Sequence, residues 1–146
     1  MNNLAFFQNL WVRDPDRVRS MIERRGEKFR ISLIRTLILN SHTGKRLQAA
    51  FGDLLGRLEF EEASPAIAGD AKTICQPDPT HILAAIERVD PACVVTFGAV
   101  ARESVSALWN GPLICAPHPA ARQRNTMNLL RLSAREFREH LAANGD

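Results

Sequence analysis

The residues best suited to chemistry form one octapeptide, His118-Pro119-Ala120-Ala121-Arg122-Gln123-Arg124-Asn125. Pro117 and Pro119 flank the histidine and restrict the backbone on both sides of it. Such stiffness suits a recognition or catalytic group, whose geometry must be held closely. A neutral imidazole can donate a hydrogen bond to developing negative charge, and a charged one can bind phosphate. Arg122 and Arg124 add guanidinium forks matched to phosphate oxygens. A surface turn with solvated arginines is the plainer alternative.

A second candidate is Asn40-Ser41-His42-Thr43-Gly44-Lys45-Arg46. A strand, a Gly-containing loop and a helix start suit an anion, because free N–H groups and the helix dipole point at it. Lys45 and Arg46 would add positive charge, and His42 could face the same cleft. A triphosphate-binding loop requires G-x-x-x-x-G-K-[ST]. Its first Gly and its final Ser/Thr are missing, so nucleoside triphosphatase chemistry is not expected. An ordinary strand–helix turn with exposed basic residues remains the alternative.

His81 and His140 read as structural or solvated. No histidine pair has metal-ligand spacing and no HExxH occurs, so no metal is expected. Cys75, Cys93 and Cys115 form neither a CxxC pair nor an even set, which argues against a disulfide framework and fits a reducing cytoplasm. Neighbours at a strand end rarely face each other productively, so a Cys115–His118 nucleophile pair is not expected.

These groups need a scaffold, and the pattern implies one. Asp14-Pro15 and Asp78-Pro79 each read as an N-cap followed by proline at the first helical position. The first helix carries Val18, Met21 and Ile22 on one side and ends at Gly26; Arg17, Arg19, Arg24 and Arg25 read as its solvated face. The second runs through Ile82, Leu83, Ile86 and Val89 to Pro91. Ile31–Leu39 is apolar and β-branched and reads as a central strand. A helix is expected over Lys45–Leu55, with Leu47, Ala50, Phe51 and Leu54 on one face, and a strand over Arg57–Glu61. Glu62–Asp78 reads mostly as loop.

Cys93–Phe97 reads as a buried strand, Gly98 as the turn into a helix Ala99–Trp109, and Leu113–Ala116 as a further short strand. Ser133 with Glu136 reads as the capping box of a last helix through Phe137 and Leu141. Phe6, Phe7 and Trp11 read as a segment that docks onto the body. Alternating strands and helices imply a three-layer α/β/α fold with a short, mostly parallel sheet and right-handed crossovers. Ligands in such sheets sit beyond the carboxyl ends of the strands. Asn40–Gly44 and Ala116–Asn125 are the loops expected there.

The 146 residues suit a single domain, here taken as 1–146, and 45% hydrophobic with 24% charged residues is an ordinary globular balance. The net charge of +3 permits an acidic partner without requiring one. No apolar stretch approaches the roughly 20 residues of a membrane span, so no membrane partner is expected. Met1–Trp11 lacks the features of a signal peptide. A monomer is expected.

Asp90-Pro91-Ala92-Cys93-Val94-Val95-Thr96-Phe97-Gly98-Ala99-Val100-Ala101 resembles the P-x-x-V-V-x-x-G-x-x-A strand–helix of the uracil-DNA glycosylase superfamily. Further on, Pro117-His118-Pro119-Ala120 stands where that superfamily has its His-Pro-Ser loop. Arg124-Asn125-Thr126 with Arg131-Leu132 is similar to the R-N-x-x-T-G-R-L continuation of some members. The resemblance is clearest over 90–141 and weaker over 33–60.

It implies a DNA partner and a cofactor-free hydrolase of DNA repair that excises uracil or a related base. An inactive nucleic-acid- or nucleotide-binding descendant is the other expectation. The resemblance assigns Asn40 to water positioning and Phe51 to stacking on a flipped base, with Ser41 and His42 beside it. His118 would donate to the departing base as it becomes anionic. Gly44, Lys45, Arg46, Pro119, Arg122, Arg124 and Asn125 would face the nucleic acid. Three cysteines do not supply the iron–sulfur site that some members carry.

Overall fold

A computed structural model describes residues 3–7, 12–64, 66–70 and 75–144. Its centre is a four-stranded, all-parallel sheet of β1 (Asn3–Phe7), β2 (Glu59–Glu62), β3 (Cys93–Phe97) and β4 (Leu113–Ala116), in the order β2-β1-β3-β4. The two inner strands, NLAFF and CVVTF, are buried at every position. Near-continuous apolar runs are what a strand needs when helices cover both its faces.

The helices are α1 (Pro15–Arg25), α2 (Glu27–Leu39), α3 (His42–Phe51), α4 (Pro79–Val89), α5 (Ala99–Ser106) and α6 (Thr126–Ala143), with a 3-10 helix over Gly52–Arg57. Ala5, Phe7, Val95 and Phe97 face one cluster with residues of α2, α3 and α6. Leu4, Phe6 and Val94 face the other with α4 and α5. The fold is therefore a three-layer α/β/α sandwich.

Local chemistry sets several boundaries. Asp14 accepts from Arg17 N at 3.2 Å and Asp78 from Thr80 N at 2.9 Å, so both Asp-Pro starts are true N-caps. Gly26, at φ 88°, ends α1 and opens α2. The helix after Gly98 stops at Ser106, three residues earlier than its pattern suggests.

Three expectations are corrected. Ile31–Leu39 is the body of α2, not a strand. Ile34 and Ile38 are buried four residues apart while Ser32 and Thr36 are exposed, a helical period hidden within a β-branched run. The strand that fills the sheet centre is instead Asn3–Phe7, which carries Phe6 and Phe7; Trp11 lies outside the described residues. Ser133 caps nothing: α6 begins at Thr126, and Ser133 Oγ donates back to Leu129 O at 3.0 Å inside the helix.

Candidate functional site at the carboxyl edge of the sheet

The order β2-β1-β3-β4 places successive crossovers on opposite sides of β1, so the switch point lies between β1 and β3. Ligands of open α/β sheets sit outside the strand ends at such a point. Here those ends are Phe7 and Phe97, whose rings stack at 4.5 Å. Gly98 follows at φ 97°, a conformation that favours glycine, and its N–H bonds Ala116 O at 2.9 Å to tie the ends of β3 and β4.

His118 rises from the end of β4, half-buried. Its ring stands edge-on to Phe7, with centroids 6.2 Å apart and planes at 87°. The backbone N–H of Ala120 donates to His118 Nδ1 at 3.0 Å. Nδ1 is thus an acceptor, and the neutral ring carries its proton on Nε2. Burial lowers the pKa below the usual histidine value and favours that neutral form. The turn closes through Ala121 N to His118 O at 2.9 Å.

Arg46, on α3, reaches the same turn. Its Nη1 donates to Pro119 O at 2.7 Å and to Ala121 O at 3.0 Å. The two sequence-predicted loops therefore meet, and Arg46 Nη1 is engaged in holding one to the other. Pro119 is buried, whereas Arg122, Arg124 and Asn125 are exposed. Asn125 stands at the N-cap of α6 without a side-chain capping bond, and Thr126 behind it is buried with its hydroxyl unpartnered among the described residues.

The residues around Asn40 sit differently from expectation. They form the corner between α2 and α3, because the segment before them is helical, and so they do not follow a strand. Asn40 is exposed at the C-cap of α2, its N–H on Thr36 O at 3.0 Å. Among the described residues, no hydrogen bond joins it to the His118 turn. Ser41 caps α3, its Oγ accepting from Gly44 N at 3.0 Å. Gly44 is buried where α3 meets α2, and a Cβ there would collide with the carbonyl oxygens of Ile38 and Leu39. Its role is close packing. His42 and Lys45 are exposed.

Phe51 is 1% exposed, beside Phe97 with ring centroids 5.7 Å apart, and presents no face on which a base could stack. The His118 turn borders neither a shallow groove on α1, lined by Arg17, Ser20 and Arg24, nor a cavity of about 20 Å³ beside Glu62.

A second polar constellation was missed. Glu61 is 0% exposed in β2. Arg30 of α2 grips both its oxygens at 2.8 Å, and His81 Nε2 and Arg88 Nη2 of α4 lie at 3.2 and 3.3 Å. Burial pushes the Glu61 pKa up, but hydrogen bonds from Arg30 and His81 outweigh it and hold the carboxyl well below its usual range. Glu27 completes the cluster on Arg30. The network fastens helices from both layers around edge strand β2. Its signal was the Glu61-Glu62 pair within a strand, since buried carboxylates need partners. Among the described residues, no group of three His, Cys, Asp or Glu could hold a metal ion. No helix among them is long and apolar enough to cross a membrane.

Comparison with family models, curated proteins and solved structures gives no match for this chain.

Proposed function

We propose that the protein binds DNA through the loop His118–Asn125, as a divergent relative of the uracil-DNA glycosylases that keeps recognition without excision through Asn40 and Phe51. The observation that carries this is the His118 ring, whose Nδ1 is occupied by Ala120 N–H so that its proton sits on Nε2, in a loop whose next residues include the exposed Arg122 and Arg124. A neutral donor suits a carbonyl or anionic oxygen of a base, and the arginines suit flanking phosphates. The helix-corner position of Asn40 and the burial of Phe51 argue against the excision roles implied for them. The reading takes a reducing cytoplasm, where the thiols of buried Cys93 and exposed Cys115 remain free.

One observation favours excision all the same: an Nε2–H donor also stabilises a base departing as an anion. A labelled oligonucleotide carrying a single uracil, tested single-stranded and paired with G or A, separates the readings. Binding that weakens with salt, with no alkali-labile product at enzyme excess, is expected. Strand scission after alkali that disappears in His118→Ala would replace the binding reading with excision. Absence of binding at low salt would overturn both.

A further inference from the structure

Arg46 and His118 touch opposite ends of the same peptide unit. Arg46 Nη1 donates to Pro119 O at 2.7 Å, and the N–H of that Pro119–Ala120 peptide donates to His118 Nδ1 at 3.0 Å. A trans peptide is planar, with its C=O and N–H pointing in opposite directions. Fixing the oxygen therefore fixes where the hydrogen points. A cation on the oxygen also draws electron density from the nitrogen, which strengthens the N–H as a donor, since hydrogen bonds in series polarise one another. The second bond, from Nη1 to Ala121 O at 3.0 Å, holds the carbonyl two residues on and so restrains the chain on both sides of Ala120.

The geometry points to Arg46 as a positioning residue: through the Pro119–Ala120 peptide it commits the His118 ring to the tautomer with its proton on Nε2. This role deepens the proposed function by naming what prepares its donor. Sequence alone assigned Arg46 to phosphate, and the structure gives its guanidinium a different task. Without the arginine the turn keeps its proline-restricted backbone, but no other hydrogen bond among the described residues anchors the Pro119 oxygen. The Ala120 N–H is then free to swing from Nδ1, and Nδ1 becomes open to a proton. Both neutral tautomers follow, and protonation of the ring becomes easier. The lowered pKa from burial acts in the same direction as the intact clamp.

The test is long-range proton–nitrogen NMR of the histidine rings in the full chain, without nucleic acid, for the wild type, Arg46→Ala, Arg46→Gln and Ala120→Pro. In the wild type His118 is expected to show Nδ1 as a bare acceptor and Nε2 as an N–H across the neutral range. Arg46→Ala should bring in the Nδ1–H form and move the titration of His118 up toward the ordinary value of about 6.5. Ala120→Pro, which deletes the N–H and leaves the Arg46 side chain unchanged, should shift the tautomer in the same way. If Arg46→Ala does not fold, Arg46→Gln, with a shorter neutral donor, is expected to give the same change to a smaller extent. Folded Arg46 variants that keep the wild-type tautomer and titration would overturn the role, as would Nδ1–H in the wild type itself. None of these readouts involves DNA, so they stand or fall apart from the binding experiment.

Discussion

The imidazole of His118 meets the ring of Phe7 edge-on at 6.2 Å, although their strands are not neighbours. β3 lies between β4 and β1, and its end is closed by Gly98, which contributes no side chain. The histidine thus leans back across the sheet edge towards the switch point. Residues from the chain's first strand and from its last strand are brought to one place by the crossover order.

The burial of His118 makes stability depend on pH. Its pKa in the fold lies below its unfolded value, so the unfolded chain binds the proton more readily. The stability held above about pH 6.5 is therefore lost as pH falls from that value through the folded pKa. Thermal melts from pH 8 downwards should show His118→Asn losing less stability than the wild type in that window. Parallel curves for the two proteins would contradict this.

Glu61→Gln is expected to destabilise the fold by about 3 kcal/mol, because it leaves Arg30 and Arg88 partly buried against a neutral group. Urea denaturation measures it. Glu61 stabilises fully above its unfolded pKa, near the usual carboxylate value, and that contribution is lost progressively as pH falls from there towards its lowered folded pKa. A loss under about 1 kcal/mol in Glu61→Gln would mean the network is nearly neutral in energy.

Gly44→Ala should cost about 2–3 kcal/mol, since the added methyl meets the carbonyls of Ile38 and Leu39 at the α2–α3 corner. Lys45→Ala, one residue on and exposed, should stay within about 0.5 kcal/mol. Melting both variants beside the wild type checks the contrast. Equal effects would show that Gly44 is not chosen for close approach.

How much of this was legible in the sequence follows from the range of each signal. Asp14-Pro15 and Asp78-Pro79 are local signals, complete within four residues, and both are helix starts in the structure. β3 and β4 were legible because Cys93–Phe97 and Leu113–Ala116 are short apolar runs bounded by Pro and Gly. β1 was not, because Asn3–Phe7 has no alternation and becomes a strand only when β2 and β3 pair with it on both sides. The β-branched Ile31–Leu39 run misled for the opposite reason: local propensity favoured a strand, and packing of Ile34 and Ile38 decided for a helix. In the site, Pro117-His118-Pro119 was legible from its stiffness. Arg46 was visible as a cation, but its partner carbonyls lie more than seventy residues away. Glu61 needed Arg30, His81 and Arg88, none of which is near it in sequence.

The central claim is that the His118–Asn125 loop is a DNA-contacting surface, and it is tested most directly by salt titration of oligonucleotide affinity. Arg122→Ala and Arg124→Ala, both exposed and outside the core, should each weaken binding and flatten the dependence of log affinity on log salt by about one unit. His118→Ala should weaken binding and leave that slope unchanged, because a neutral ring displaces no counterion. Identical affinity and slope in the wild type and the double Arg122→Ala/Arg124→Ala variant would contradict the account.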